Sequence, residues 1–444
     1  MKPTSLNRRK FLKNTSLGIL GASLAGSQSL TAKPQNRTSE LPKIKEYRTL
    51  GRTGLKVSDI GAGIQASEGL LKATLEAGVN FLETSELYGR GRNETLIGSV
   101  IKDYDRQKLV IATKVSPQLK EFESDRDIIA RVNASLERLQ TDYVDCLLIH
   151  GAENSQRVKN KHFHKAVKQL KKEGKVNFAG VSCHGHSWWD SPEETFEDVL
   201  MTAVDDGRFD VIMLPYNFFE PEMATRVLEA CGDKNIGTMI MKSNPILLYE
   251  LFKEEKDTHE KEGKEFPERY MIGYEKYKLQ AEKANEFFNR YGLNSMEEMK
   301  DGAMQFVLSN KNVSTICCEL PNFEALEKYI RLSGTRLAPS TEAMLAHYRS
   351  EFGNLHCRIA CNECEKACPH HVPINTILRY NYYFSAKKQE KYAMSLYHTL
   401  VGNKADICLY CEGYCLDKCP YGVLTTPLLA VAHQNLSIHN SIYS

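Results

Sequence analysis

The sequence predicts an α/β protein in which eight parallel strands and their covering helices close into a (β/α)8 barrel, followed by a small, mainly helical second domain. Two observations lead to this prediction. Short apolar runs alternate with helix-type periodicity from Tyr47 to Arg331. Cysteine, in contrast, is concentrated near the end of the chain. A chain of 444 residues is also long enough for two domains.

Eight apolar runs of strand length carry the barrel prediction. The runs are DIGAGI from Asp59, VNFLET from Val79, LVIATK from Leu109, VDCLLIH from Val144, KVNFAGVS from Lys175, DVIMLP from Asp210, GTMIMK from Gly237 and VSTICC from Val313. Eight parallel strands separated by helices close naturally into a barrel. A doubly wound open sheet is the competing architecture, but the glycine fingerprint typical of it is incomplete in GAGIQA, which lacks the third glycine.

Helical periodicity fills the gaps between these runs. One apolar stripe consists of Ile128, Ile129, Val132, Leu136 and Leu139, and another of Phe323, Leu326 and Ile330. The longest gap, from Ser243 to about Asn312, contains the charged stretch EEKDTHEKEGKEFPER. Such a composition favours a solvated insertion. A lid over the carboxyl end of the barrel is the alternative.

The first residues are typical of an export signal. Arg8 and Arg9 precede an interrupted apolar stretch and the small residues Ala25 and Ala32, so residues 1–32 resemble a twin-arginine signal. The stretch is shorter than the roughly 17 apolar residues that a transmembrane helix needs. We therefore expect an exported, periplasmic protein, with a basic cytoplasmic tail as the alternative.

The charge balance bears on the kind of partner. The chain has 58 basic and 56 acidic residues, and this near-neutral balance gives no electrostatic case for nucleic-acid binding. We expect a small molecule or another protein as the partner.

Polar residues at the carboxyl ends of the predicted strands form the candidate site, because barrel enzymes keep their catalytic residues there. Each residue taken singly can be explained as a hydrogen-bonded or solvated side chain with a structural role. Their position together on one rim of the barrel favours a functional site. The strand-end residues are Glu83, Lys114, His150, Ser182, Tyr216 and Lys242.

The region from Tyr47 to about Arg331 resembles the aldo/keto reductase family. The matching segments are EYRTLGRTGLKVSDIGAG, NFLETSELYGRGRNETLIG, IATK, LLIHG, GVS and PYN. The resemblance implies that residues 45–335 form the barrel of an oxidoreductase acting on a small carbonyl or alcohol compound. It also implies a catalytic tetrad and a binding site for NADP or NAD. The tetrad would be Glu83, Tyr88, Lys114 and His150, and the nucleotide would contact Ser182, Cys183, Tyr216 and Lys242.

The tetrad residue types suit hydride transfer. Negative charge develops on the carbonyl oxygen as hydride arrives, so an acid must deliver a proton. A phenol with an ordinary pKa of about 10 needs a neighbouring cation to do this near neutrality. Tyr88 would be the proton donor and Lys114 the cation. Glu83 would hold Lys114, and His150 would orient the carbonyl.

The chain departs from the family pattern in four places. Glu83 replaces the family's Asp, and its extra methylene could displace Lys114 by about 1 Å. Cys183 and Met213 replace the Asn and Gln that hold the nicotinamide carboxamide. The segment ICCELPNFEALEKY has no Gly, Lys or Arg before Lys328 to meet the nucleotide phosphates. These departures keep a rival hypothesis open, in which the barrel is a degenerate scaffold and the protein is an exported electron-transfer or interaction module.

Two runs of four cysteines distinguish residues 340–444. Each run ends in Cys-Pro and resembles the ferredoxin-type motif that binds a 4Fe-4S cluster. Three, two and three residues separate the cysteines of the first run, and two, three and three those of the second. The family spacing is two, two and three. The runs are Cys357, Cys361, Cys364 and Cys368, then Cys408, Cys411, Cys415 and Cys419.

The resemblance of these runs implies two 4Fe-4S clusters, in which the last cysteine of each run serves the other cluster. It also implies a redox partner, either a protein or a membrane electron carrier. Structural zinc is the alternative, because four cysteines commonly hold zinc as well. A further candidate for substrate contact is the pair Trp188 and Trp189, which would stack on a sugar or aromatic ring or else pack a loop.

Overall fold

The computed structural model describes residues 41–437 except 118, 185–193, 219–220, 244–255, 257–259, 262, 264–289, 292–295, 354–356, 359–360 and 386–389. The described residues all fall within one compact unit, Leu41–Ser444. The export segment, the Trp188–Trp189 pair and most of the charged stretch after the seventh strand lie outside them. Within the described part of the chain, no helix is long and apolar enough to cross a membrane.

A short antiparallel hairpin precedes the barrel. Its strands are β1 (Tyr47–Thr49) and β2 (Lys56–Ser58). Leu50 and Val57 of the hairpin join the apolar cluster inside the barrel. Gly51 allows this close approach, since its φ is +50° and an added Cβ would overlap the backbone nitrogen of Gly237. The hairpin therefore packs directly against the barrel interior.

Eight parallel strands form a closed barrel, which confirms the predicted barrel and all eight predicted strands. Each strand pairs with the next in the chain, and the last strand closes the ring by pairing with the first. The strands are β3 (Ile60–Gln65), β4 (Phe81–Glu83), β5 (Val110–Val115), β6 (Val144–Ile149), β7 (Val176–Ser182), β8 (Val211–Pro215), β9 (Gly237–Met241) and β10 (Thr315–Leu320).

Helices alternate with these strands and pack on their outer face. The apolar sides of helices and strands share one large buried cluster. The helices are α1 (Glu68–Glu76), α2 (Arg92–Ile101), α3 (Asp125–Leu139), α4 (Ser155–Val158), α5 (Lys161–Lys172), α6 (Phe196–Asp206), α7 (Glu222–Asp233), α8 (Met296–Ser309) and α9 (Phe323–Arg331), with a short 3-10 helix at Arg106–Lys108.

The two predicted apolar stripes lie on α3 and α9. On α3, Ile128 and Val132 are fully buried. On α9, Leu326 and Ile330 are buried, but Phe323 is 55% exposed. Phe323 is the first residue of the helix, directly after the capping Asn322, so it projects beyond the part of α9 that packs on the barrel.

The C-terminal segment is helical, as predicted. Its last three helices pack against one another around their own apolar cluster. Three short 3-10 turns occur within the cysteine runs. The helices are α10 (Pro339–Phe352), α11 (Ile374–Ser385), α12 (Glu390–Thr399) and α13 (Thr425–Leu436), and the turns are Glu365–Ala367, Ile407–Leu409 and Leu416–Lys418.

Candidate active site

Neighbouring strands place the candidate catalytic side chains on one rim. Side chains alternate between the two faces of a strand, so the parity of a position decides its direction. Phe81 and Ala112 belong to the cluster inside the barrel. Glu83 and Lys114, each two residues further on, therefore also point inward. His150 follows the inward-facing Leu148 by the same rule.

Lys114 lies at the centre of this group. Its side chain is fully buried and forms an ion pair with Glu83. The Lys114 ammonium also donates to the backbone carbonyl of Thr84 at 2.9 Å and to the hydroxyl of Tyr88 at 3.1 Å. The nitrogen is 4.6 Å from the centroid of the Tyr88 ring. The cation thus contacts both the carboxylate and the phenol of the candidate tetrad.

Glu83 reaches its partners despite its additional methylene. The Tyr88 hydroxyl donates to Oε1 of Glu83 at 3.2 Å, and the same oxygen accepts from Lys114. The second carboxylate oxygen lies against Gly63, where an added Cβ would be 3.4 Å away. A glycine in β3 therefore leaves the space that this longer side chain occupies. Lys114 keeps its contact with Tyr88 in this arrangement.

His150 completes the group from the next strand. Its Nδ1 lies 2.9 Å from the hydroxyl of Ser85. Its ring meets the Tyr88 ring edge to face, with centroids 5.6 Å apart at 88°. The contact with Ser85 involves Nδ1 only, so Nε2 is the ring nitrogen that faces other partners. The structure therefore brings all four candidate tetrad residues together.

Burial controls the protonation of these groups. Burial raises the pKa of Tyr88 above its ordinary value, and the nearby Cys317 and Glu319 raise it further. Burial lowers the pKa of Lys114 to about 7, and the nearby Cys317 acts in the opposite direction. The ion pair with Glu83 also favours the ammonium form. Burial, with the charge of Lys114, also holds the pKa of His150 well below its usual range. His150 is therefore a neutral imidazole, and Tyr88 is a protonated phenol.

Comparison with known proteins shows the family to which the chain belongs. The model of the aldo/keto reductase family matches residues 64–346. The chain belongs to the aldo/keto reductase family. It is 30% identical over 217 residues to the aldo-keto reductase YhdN of Bacillus subtilis, covering 45% of this chain and 62% of that protein. It is 32% identical over 185 residues to the L-galactose dehydrogenase of Arabidopsis thaliana, covering 38% of this chain and 55% of that protein.

The alignment of the chain with a solved structure of the family is only partial. The aldo-keto reductase AKR11C1 of Bacillus halodurans, in its holo form, covers 68% of this chain and 95% of its own, with 21% identity and a TM-score of 0.48. The chain spans less than two thirds of the length of the two curated relatives named above.

The residues predicted to bind the nucleotide do not share one environment. Ser182 is fully buried; its hydroxyl accepts from the backbone N–H of Gly151 at 3.0 Å and donates to the carbonyl of Ile149 at 3.2 Å. Because a hydroxyl oxygen has two lone pairs, one remains for an amide N–H of a nicotinamide carboxamide. Cys183 packs in the outer apolar cluster.

Tyr216 and Lys242 also lie in two different environments. The Tyr216 ring packs in the outer cluster, 5.3 Å from the ring of Phe306, and its hydroxyl accepts from Asn310 at 3.1 Å. The structure therefore does not bring Tyr216 to the tetrad. Lys242 follows β9 with a φ of +54°. Its positive charge lies close enough to lower the pKa of His184, which follows β7 on the same rim.

The two cysteine runs interact across the tail. The pKa of the Cys357 thiol is raised by burial and by Cys364, Cys361 and Cys419, so the last cysteine of the second run lies with the first run. The pKa of Cys408 is raised by burial and by Cys368, Cys415 and Cys411, so the last cysteine of the first run lies with the second. These interactions favour two mixed sets of four thiols, and Cys364 of the first set also interacts with Cys415 of the second.

The second set lines a cavity with about 300 Å³ of empty space, part of it open to solvent. Its walls include Cys368, Cys408, Cys411 and Cys415. Among the described residues, no three His, Cys, Asp or Glu side chains are arranged to hold a single metal ion. A cubane cluster holds its four thiolates farther apart than one metal ion does, because its iron and sulfide atoms lie between them.

Several residues of the site carry no sequence signal. Ser85 and Gly63 act through contacts between different strands, which no local pattern reveals. Cys317 is the inward-facing residue of β10 and lies near enough to influence the pKa of Lys114. The alternation of inward and outward side chains along VSTICC is the one sequence signal that could have predicted the inward position of Cys317.

Proposed function

We propose that the protein is an exported oxidoreductase that transfers hydride between a tightly bound NADP or NAD and a small carbonyl or alcohol substrate, coupled to electron transfer through two 4Fe-4S clusters. The observation that carries the proposal is the position of Lys114, whose ammonium contacts both the Glu83 carboxylate and the Tyr88 hydroxyl. Family membership supports the same chemistry.

The tetrad supplies the proton half of the reaction. When bound, the nicotinamide supplies the hydride that reaches the carbonyl carbon. The Tyr88 hydroxyl donates its proton to the carbonyl oxygen, and its own oxygen becomes negative beside the ammonium of Lys114, 3.1 Å away. Neutral His150 is placed to donate a hydrogen bond from its ring to the same carbonyl oxygen. In the reverse direction, Tyr88 removes the hydroxyl proton of an alcohol.

The nucleotide site fits this role with fewer contacts than the family pattern provides. Ser182 retains one acceptor lone pair for the carboxamide, and Lys242 adds positive charge to the rim. The side chains at the other two carboxamide positions, Cys183 and Met213, are buried and offer no amide group. Because free NADPH is not expected outside the cytoplasm, the nucleotide would have to be bound before export and recycled in place.

The tail fits iron-sulfur clusters by the chemistry of its donors. Soft thiolates are the ligands that such iron requires. Cys357, Cys361 and Cys364 with Cys419 would hold one cluster. Cys408, Cys411 and Cys415 with Cys368 would hold the other. When bound, these clusters supply one-electron transfer to a redox protein or membrane carrier.

The polar contacts around the thiols match this assignment. Asn375 donates to Cys357 at 3.1 Å, and Thr425 donates to Cys415 at 3.1 Å. The backbone N–H groups of Val372 and Val423 donate to Cys368 and Cys419 in equivalent positions, four residues after each sulfur. Hydrogen bonds to cysteine sulfur stabilise the negative charge of a thiolate ligand.

Replacement of Tyr88 by Phe tests the proposed reaction on full-length, cluster-replete protein. Loss of the proton donor should lower kcat by about 100- to 10,000-fold. Tyr143→Phe is the matched control, because Tyr143 packs against Arg106 outside the site. Unchanged turnover in Tyr88→Phe, with iron content retained, would contradict the tetrad mechanism and favour the electron-transfer or interaction module.

An optical spectrum with an iron and zinc assay tests the cofactors of the same preparation. Iron with cluster absorbance is expected, and zinc without iron would contradict the cluster assignment. Denaturation should release NADP or NAD. If the protein releases none and binds none by calorimetry, the hydride-transfer proposal fails.

A further inference from the structure

A second histidine lies beside His150 at the carboxyl end of the barrel. Phe178 of β7 contacts the cluster inside the barrel, so alternation gives Ser182 and then His184 the same inward direction. The pairing of β6 with β7 continues to this point, because the backbone N–H of Ala152 donates to the carbonyl of Ser182 at 2.8 Å. The ring centroids of His184 and His150 are 6.2 Å apart, and the rings are tilted by 49°. His184 is therefore in ring contact with a member of the tetrad.

The two histidines differ in their hydrogen bonding. Nδ1 of His150 meets the hydroxyl of Ser85 at 2.9 Å. Within the part of the chain that the structure describes, no group hydrogen-bonds to the ring of His184, which is only partly buried. Its two ring nitrogens are therefore open to a molecule bound at the end of the barrel.

The protonation of His184 limits the chemistry of such a molecule. Burial, with the charge of Lys242, holds the pKa of His184 well below its usual range. The ring is then a neutral imidazole, which has one N–H donor and one acceptor nitrogen. It brings no charge to an anion, but it suits a hydroxyl group, which both donates and accepts a hydrogen bond.

The spacing of the two rings fits two oxygen atoms of one small molecule. A hydrogen-bonded oxygen lies roughly 4 Å from the centroid of the imidazole that binds it, because such bonds are about 2.9 Å long. Twice this reach exceeds the 6.2 Å between the centroids of His150 and His184. The two bound oxygens can therefore lie close together, as they do on adjacent carbon atoms.

We propose that His184 hydrogen-bonds a hydroxyl group on the carbon next to the reacting carbonyl, so that the barrel acts on hydroxy-carbonyl compounds and the corresponding diols. This inference rests on the proposed function, from which it takes the position of the carbonyl beside Tyr88 and His150. His150 orients the carbonyl, and His184 binds the neighbouring hydroxyl. His184 thus determines specificity and takes no part in the proton transfer.

A matched pair of ketones tests the proposal on the full-length holoprotein. The probes are hydroxyacetone and butanone, which differ by a hydroxyl in place of a methyl group, with kcat/KM measured for both. His184→Phe should lower kcat/KM for hydroxyacetone by about three- to tenfold, because one hydrogen bond is lost. The value for butanone should change little. His184→Gln, which keeps a hydrogen-bonding group, should retain part of the preference for hydroxyacetone.

His162→Phe is the matched control, because His162 lies on α5 at the outside of the barrel, 3.6 Å from Asp125. It should leave the values for both ketones unchanged. An equal fall for both ketones in His184→Phe would indicate that His184 only supports His150, and it would overturn the proposal. Unchanged values for both would overturn it too. A weakened affinity for NADP or NAD, with the ratio of the two ketones unchanged, would assign His184 to the nucleotide instead.

Binding without turnover separates this proposal from the proposed reaction. Ligand-observed NMR can measure the Kd of each ketone for the Tyr88→Phe protein. Addition of His184→Phe should raise the Kd of hydroxyacetone by about three- to tenfold and leave that of butanone unchanged. This result would support the role of His184 even if the turnover of Tyr88→Phe shows that the tetrad mechanism is wrong. An unchanged Kd for hydroxyacetone would overturn that role whatever the turnover.

Discussion

The ammonium of Lys114 lies 3.1 Å from the phenolic oxygen of Tyr88, in a position with no exposure to solvent. A buried cation of this kind stabilises the negative charge that Tyr88 develops when it gives up its proton. Burial, with the nearby Cys317 and Glu319, raises the pKa of Tyr88, so the phenol keeps its proton until a substrate oxygen is there to accept it.

Lys114→Met should therefore lower kcat by at least about 100-fold, which is the scale of acid–base assistance. It should also destabilise the fold by about 3–5 kcal/mol, since Glu83 becomes a buried unpaired charge. The double variant Lys114→Met/Glu83→Leu should regain stability but not activity. Kinetics and thermal unfolding of both proteins check this, with exposed Lys120→Met as control. Recovery of activity in the double variant would contradict the role of Lys114.

The pH dependence follows from the same lysine. Its pKa is lowered to about 7, so Lys114 loses its proton as the pH rises through that value. The kcat/KM for carbonyl reduction should fall over the same range. Glu83→Gln removes the carboxylate that favours the ammonium and should shift this fall to lower pH. The pH profile of kcat/KM can be measured by nucleotide absorbance. If the profile of Glu83→Gln is the same as that of the wild type, the fall cannot be assigned to Lys114.

We expect full activity to require glycine at position 63, because the Glu83 carboxylate lies against it. An added Cβ at Gly63 lies 3.3 Å from the carbonyl oxygen of Cys318 and 3.4 Å from the second Glu83 oxygen, so Gly63→Ala would shift these groups by a few tenths of an ångström. A fall in kcat of about two- to fivefold is expected, since a misplacement of about 1 Å costs about 100-fold. The shorter side chain of Glu83→Asp should restore activity in the double variant. Gly69→Ala, which meets no neighbour within 4 Å, is the control.

Ser85 should orient His150. Removal of the hydroxyl in Ser85→Ala frees Nδ1 and should lower kcat by about tenfold, the scale of one hydrogen bond. Nitrogen NMR of the imidazole should report a changed mixture of tautomers. Ser99→Ala on the outside of α2 is the control. An unchanged tautomer with unchanged kcat would show that Ser85 does not orient the ring.

The cysteine assignment should be visible by electron paramagnetic resonance. If two clusters form as proposed, Cys419→Ser should change the same signal as Cys357→Ser, and Cys368→Ser the same signal as Cys408→Ser. The buried Cys231→Ala should leave both signals and the iron content unchanged. A Cys419→Ser spectrum that instead matches Cys408→Ser would contradict the mixed sets.

Sequence reasoning succeeded where a local rule has a direct structural consequence. Apolar runs of strand length gave the eight strands, and the position of a residue at a strand end gave Glu83, Lys114 and His150. The alternation rule also explains Cys183, since a residue one position past the inward Ser182 must face the helices.

The remaining features depend on contacts that no single segment encodes. Gly63 and Glu83 lie on different strands, and Ser85 and His150 are far apart in the chain. Tyr216 was expected at the nucleotide, but it lies two positions after the outward-facing Leu214, so alternation turns its ring toward Phe306 of α8. The contact of Tyr348 with Phe218 depends on how the helical tail docks on the barrel, which composition and periodicity do not determine.

The proposed exchange of Cys368 and Cys419 between the two thiol sets has a consequence for how the tail can vary. Under this assignment, neither set is complete within one run of cysteines. Deletion of everything after Gly413 would remove Cys415 from one set and Cys419 from the other, so a single truncation there would break both. We therefore expect the two runs to be gained, lost or transplanted together.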